Sequence, residues 1–321
     1  MATVKQYEAV TRHIIAALEE GSAPWRKPWK APRPGYNPNV HHNAISGKAY
    51  RGLNPWTLES VAAAKGYESK LWLSLNQANK AGGKVKAGEK GTTVYFWKFE
   101  RGIKSVPDPK TGEEVTRVRH WGFLRLYSVF NLEQTEGVKL PKRYAKIEEE
   151  EPFDVVELAQ AIVDGYVDND GPSLSHDGID RAYYRPSNDS IHLPALAQFE
   201  SPNEYYSTNF HELGHSTGHA SRLDRHSEKL QHSFGSEAYS KEELVAEFTS
   251  ALLCSQSGID NTLENSIAYI AGWLRAFKAD PSIALLAAGK AQAAADLILK
   301  APSVALEAPV DEEVIYEGVT L

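Results

Sequence analysis

Apolar positions recur every three to four residues from Val4 to Leu18, the spacing of one helix face, and predict an amphipathic helix over residues 3–20. Shorter helical patterns follow around Trp56–Lys65 and Ser74–Ala81, the second ended by Gly82-Gly83. The period then changes. TTVYFWKF and VTRVRHWGFLRLYSVFNL are rich in aromatic and β-branched residues and flank the turn-forming DPKTGEE, so they predict a long β-hairpin. Further on the helical period returns in DVVELAQAIVDGY, and RAYYRPSNDSIHLP reads as two short strands around a turn. Two helices with distinct starts come next. The first has Ser201 as N-cap, Pro202 at the first helical position and Glu204 at the third, with Gly218 as its stop. The second opens at Ser240 with Glu243 in the capping-box position and runs through ELVAEFTSALL. Helical segments near 262–278 and 282–299 complete an α+β chain.

Charge divides this pattern in two. Residues 1–147 carry 25 Lys and Arg against 12 Asp and Glu, a net of +13, whereas residues 148–321 carry 10 against 30, a net of −20. The acidic run Glu148–Glu151 with Pro152 behind it marks the seam. Two domains are expected, 1–147 and 148–321, each long enough to bury its own core, with an acidic tail from about residue 302. No apolar run approaches the roughly 18 residues that span a bilayer. The amphipathic start lacks the apolar centre of a signal peptide. A single cysteine, Cys254, permits neither an internal disulfide nor a Cys-rich zinc site. These features point to a cytoplasmic protein with no membrane partner.

Six of the seven tryptophans lie in the basic half. Trp25 and Trp29 bracket Arg26 and Lys27 in the proline-stiffened PWRKPWK, and Lys84, Lys86 and Lys90 sit on a glycine-punctuated loop leading into the hairpin. Alternation along the second hairpin strand sets Arg117, Arg119, Trp121, Phe123 and Arg125 on one face. Cations tracking phosphates, interleaved with aromatic faces for unstacked bases, suit a binder of single-stranded nucleic acid. Core packing is the alternative role for any one tryptophan. No zinc finger, RRM or helix-turn-helix pattern is present, which argues against sequence-specific reading.

The acidic half contains TNFHELGHSTGHASRL, in which His211, His215 and His219 stand four residues apart with Glu212 beside the first. Residues four apart on a helix share a face, so His211 and His215 can offer ring nitrogens to one metal ion. Glu212 lies about 100° round the helix, where it can act as general base on a water at that ion. Tyr206, Phe210 and Leu213 form the stripe that would bury the helix. A catalytic zinc site has three protein ligands and an open position. Ser221 stands where the three-histidine metzincin pattern needs its last histidine. His219 lies past Gly218, too far along the axis to close a tight triangle, and is expected behind the ligands or in solvent. Glu243 and Glu247 remain, one turn apart on the next helix, and spacing does not choose between them. Zinc suits a His/His/Glu set best, and manganese or iron is compatible with it. Tyr239 is a candidate oxyanion stabiliser, with core packing as its alternative.

ELVAE resembles the Glu-x-x-x-Asp/Asn of glutamate zincins, whose first member ligates the metal and whose last orients a ligating histidine. That resemblance implies Glu243 as third ligand and Glu247 as the orienting residue, with Glu in place of Asp/Asn as the departure. More widely, GSAPWRKPW, ISGKAYRGLN, WLSLNQANKAGGKVKAGEKGTTVYFW and LRLYSVFNLEQ look like the single-stranded-DNA-binding domain of ArdC-type antirestriction proteins, also found on some plasmid primases. RAYYRPSNDSIHLP, YYSTNFHELGHSTGHASRLDR and YSKEELVAEFTSALL look like that family's zincin-type metallopeptidase domain. The resemblance adds Arg51, within ISGKAYRGLN, to the expected DNA contacts. It implies a protein of conjugative plasmids or other mobile elements that shields DNA entering a cell as a single strand. A host restriction or defence protein is then the expected peptidase substrate. A passive DNA coat whose metal only braces the fold is the alternative. On its length the chain is expected to lack the polymerising domain of a plasmid primase.

Overall fold

Helix α1 (Val4–Glu19) opens with a capping box, in which Thr3 accepts from the Gln6 backbone and the Gln6 side chain accepts from the Thr3 backbone. Its stripe of Val10, Ile14 and Leu18 is buried. The computed structural model describes residues 3–26, 29–33, 37–107, 114–144, 152–176, 178, 180–225, 237–260 and 267–300, with backbone alone at 99–107, 114–121, 237–240 and 267–269. Helix α2 (Asn54–Lys65) has Pro55 in its first turn and stops at Gly66, which takes the left-handed conformation that glycine adopts without strain. Helix α3 (Leu75–Lys80) repeats the capping box with Ser74 and Gln77.

The strands of the first half are β1 (His42–Asn43), β2 (Leu71–Leu73), β3 (Lys84–Val85), β4 (Thr92–Pro107), β5 (Glu114–Asn131) and β6 (Thr135–Glu136). One sheet runs β1-β2-β5-β4, with β1 and β2 parallel and the other pairs antiparallel, while β3 pairs with β6 alone. The expected hairpin is β4 with β5, in continuous register from Thr92↔Val129 to Pro107↔Glu114. The second half begins with α4 (Val155–Val167), capped by Asp154, and a small sheet of β7 (Ser173–Ser175), β8 (Tyr183–Arg185) and β9 (Ser190–His192) in the order β7-β9-β8. Helices α5 (Pro202–Ser216), α6 (Glu237–Ser257), α7 (Ile267–Ala279) and α8 (Ser282–Ile298) follow. The molecule is α+β in two domains. The seam at 148–151 and the acidic tail lie outside the described residues. Among the described residues no helix is long and apolar enough to cross a membrane.

Two expected boundaries differ. Helix α5 keeps its Ser201 cap but ends at Ser216, with Thr217 as a right-handed cap, and Gly218 does not take the left-handed conformation of a glycine stop. The Thr217 hydroxyl, donating to the Gly214 carbonyl at 2.6 Å, satisfies a terminal acceptor instead. Helix α6 starts at Glu237, so Ser240 is not its N-cap and Glu243 is not a capping partner. No breaker separates Glu237 from Ser240, and the helix propagates back past it. Glu243 is thereby released for other work.

The halves do not keep separate cores, as their lengths had suggested. One buried cluster runs through both, taking Val10, Ile14, Trp25 and Trp56 from the first and Phe210, Phe248, Trp273 and Phe277 from the second. Its centre is Trp25, fully buried with ring centroids 4.8 Å from Phe248, 5.6 Å from Trp273 and 6.1 Å from Trp56. The surrounding segment is strapped along α6. Arg26 Nε lies 3.2 Å from Glu247, the Trp29 N–H donates to Asp260, and Asn37 and Asn39 donate to the Ser255 carbonyl near the end of α6. Those amides satisfy an acceptor that a helix C-terminus leaves open. Replacing Trp25 by Ala should cost about 3–5 kcal/mol, as truncation of a fully buried aromatic does. Denaturant titration should show both halves losing structure in one shifted transition.

Candidate metal centre

Helix α5 buries Tyr206, Phe210 and Leu213 as its apolar stripe requires, and packs closely on α6. Gly214 sets the approach: a Cβ there would lie 3.1 Å from both Ala246 Cα and Thr249 Cβ. Ser250 donates to the Ser207 carbonyl at 2.8 Å on the same seam. His211 is one turn before Gly214, and Glu243 is one turn before Ala246, so the crossing carries both to the same place.

His211 Nε2 and His215 Nε2 lie 3.1 Å apart, and each is 3.4 Å from an oxygen of Glu243. Their donor atoms form a compact, half-buried triangle. Ligand atoms bonded tetrahedrally at about 2.0–2.1 Å stand about 3.3 Å apart. Octahedral bonds of similar length give edges of about 3 Å. The triangle therefore fits a divalent ion of either geometry. Two imidazoles and a carboxylate are a donor set for zinc and for neighbouring transition metals. Glu212 is 7% exposed and has no hydrogen-bond or ion-pair partner among the described residues, which leaves its carboxylate uncommitted beside the triangle.

Two residues not singled out from the sequence support the triangle. Glu242 Oε1 lies 3.8 Å from His215 Nδ1, behind the face that His215 offers to the site. Arg225 holds Glu242 at 2.6 and 3.2 Å and also donates to Gly214 and Thr217, tying the end of α5 to α6. Burial alone would raise the Glu242 carboxyl, but His215 and Arg225 hold it down to about 2. Burial likewise opposes ionisation of Glu243, yet hydrogen bonds from His211 and His215 keep it far below the usual carboxylate range. Burial lowers the His215 imidazole, and Glu242 and Glu243 override this and push it up to about 10. Its place directly before Glu243 and the ELVAE run was the available signal for Glu242. Arg225 lay within HASRLDR without any spacing rule to mark it.

The remaining expectations divide, and the one for Glu247 needs correction. Glu247 is buried against Arg26, and His211 Nδ1 is buried with no hydrogen-bond partner, so Glu247 does not orient that histidine. The longer glutamate side chain, where the zincin pattern has Asp or Asn, reaches the arginine of the strap instead. His219 bonds Ser221 at 2.8 Å and stays outside the triangle. The side chain of Tyr239 lies outside the described residues.

The expected DNA contacts divide. Lys84, Lys86, Lys90 and Arg125 are exposed, with Lys84 beside Glu136 and Lys86 donating to the Glu133 carbonyl. Arg125 belongs to a face of the hairpin shared with Phe96, Lys98 and Tyr127, so cations and aromatics do alternate there. Trp25 is core, not a base platform, because the second half supplies its aromatic neighbours. Arg26 and Arg51 are committed to Glu247 and Asp296, and Trp29 is half-buried against the shared core. Lys27 and the side chain of Arg119 lie outside the described residues.

Two family models match the chain. Residues 4–130 fit the family model for the N-terminal domain of anti-restriction factor ArdC, and residues 161–290 fit that for a zincin-like metallopeptidase. Two Escherichia coli proteins named DNA primase TraC are each 38% identical over 93% and 91% of this chain, which spans only 28% and 20% of their lengths. The uncharacterised y4eC of Sinorhizobium fredii is 36% identical over 90% of both chains. The metal-free crystal structure of the antirestriction ArdC protein from the R388 plasmid superposes with a TM-score of 0.66 at 36% identity, covering 92% of this chain and 96% of that one. Its Mn(II)-bound form has the same TM-score at 34% identity. Matched over nearly the full length of both chains, the protein belongs to the ArdC family of antirestriction proteins and carries that family's zincin-like domain.

Proposed function

We propose that this protein binds the incoming DNA of a mobile element as a single strand, without sequence preference, and protects it from host restriction. In this reading the second domain is a metal-dependent peptidase whose substrate is a host restriction or defence protein. The observation that carries it is the His211/His215/Glu243 triangle with the uncommitted Glu212 beside it. These three side chains would hold one divalent ion, zinc by donor chemistry or manganese as in the R388 relative. The bound ion would supply Lewis acidity, polarising a carbonyl and acidifying a water. Glu212 accepts the proton from the attacking water and returns it to the leaving nitrogen. Glu242 and Arg225 keep His215 and the two helices in place. The basic first domain, with Lys84, Lys86, Lys90 and Arg125 exposed, brings this chemistry to the strand being contested. Lys27 and Arg119 are proposed to add to the same binding surface.

Metal binding must displace a proton from His215, whose pKa is raised to about 10 in the metal-free protein. Apparent affinity for zinc should therefore rise with pH between 6 and 9, about tenfold per unit for one displaced proton. Calorimetry in buffers of different ionisation enthalpy should show the proton released. Glu212→Gln should keep the fold and bind zinc, yet lose about 10²–10⁴-fold in hydrolysis of a denatured protein probe such as casein. Its protection of single-stranded DNA entering a restricting cell should fall in parallel. Full protection by Glu212→Gln would leave the passive coat with a structural metal as the better reading.

A further inference from the structure

A second cavity, of about 200 Å³, lies between the domains away from the triangle. The first domain lines it with Trp29, Tyr50 and Trp56, and the second with Leu252, Gln256 and Leu299. Pockets for drug-sized ligands run to roughly 300–1,000 Å³. This one has room for a single planar ring system and not for a whole nucleotide. Gln256 is half-buried and lines the cavity, and its side-chain amide carries both a donor and an acceptor. The two acidic groups in the lining are neutralised, Asp296 by Arg51 and Glu59 by Lys70. Lys30 and Lys48, both exposed, are the chain neighbours of the lining residues Trp29 and Ala49. Cations thus flank an aromatic cavity whose own carboxylates do not repel phosphate.

We infer that this cavity receives one unstacked base of the bound single strand. The inference rests on the single-strand reading above. The half-buried Trp29 indole gives any base a stacking surface, and the Gln256 amide can meet the polar edge of a purine or a pyrimidine. Arg51, expected as a phosphate contact, acts here by cancelling Asp296 in the wall.

The test is photocrosslinking of the full-length protein to a thymidine oligonucleotide carrying 5-iododeoxyuridine, with the attached residue mapped by mass spectrometry. Attachment at Trp29 is expected. Ala49→Trp, which places a ring at the exposed rim, should remove it and weaken oligonucleotide binding about tenfold, the scale of one base–aromatic stack. Attachment only on the β4–β5 hairpin, with affinity unchanged in Ala49→Trp, would overturn the cavity assignment and leave single-strand binding intact. Failure of the unaltered protein to retain the oligonucleotide would overturn the single-strand reading and this inference with it. Mapping on the unaltered protein decides the matter even where Ala49→Trp does not fold.

Discussion

The backbone contact at Gly214 is the constraint on which the rest of the structure depends. With no side chain there, α5 and α6 approach until a Cβ would be 3.1 Å from the opposite backbone. A wider separation would carry Glu243 out of reach of two histidines that the helical period places on one face. Close packing of this kind has no slack, since protein interiors are as dense as organic crystals. Arg225 secures it by bonding the Gly214 carbonyl on one helix and Glu242 on the other. A small residue between two ligands is therefore part of the site's geometry although it touches nothing chemical.

The same helix is held from its far side by the first domain. Trp25 enters the core against Phe248, Arg26 pairs with Glu247 one turn from Glu243, and Asn37 and Asn39 bond the carbonyl of Ser255. The basic segment read as a DNA loop is thus a structural strap for the helix that supplies Glu243. Two domains joined through such a core do not separate cheaply, since parting them would expose several fully buried aromatic rings. The basic half, proposed to contact DNA, and the half that carries the triangle share one core.

Much of this was legible in the residues. Helical period, capping residues and the change to β-branched stretches placed helices α1 to α8 and the strands β4, β5, β8 and β9 but not the short β1, β2, β3, β6 and β7, and HELGH with a downstream glutamate located the triangle. Local signals failed where a distant contact decides. Trp25 and Arg26 sit in a segment with the composition of a nucleic-acid loop, and only the fold brings Phe248 and Glu247 to them. Ser240 and Glu243 have capping-box spacing, but the helix had already begun at Glu237. Glu247 follows the zincin pattern in position but not in length, and its extra methylene accompanies a different partner. Glu242 and Arg225 form a pair across sequence that no periodicity links.

The central claim is that one divalent ion is held by His211, His215 and Glu243 at the crossing of α5 and α6. Diffraction from zinc-loaded crystals, collected across the zinc absorption edge, addresses it directly. A single anomalous peak about 2 Å from His211 Nε2, His215 Nε2 and a Glu243 oxygen is the predicted result. A peak outside the triangle, or one ligated by Glu247 in place of Glu243, would contradict it.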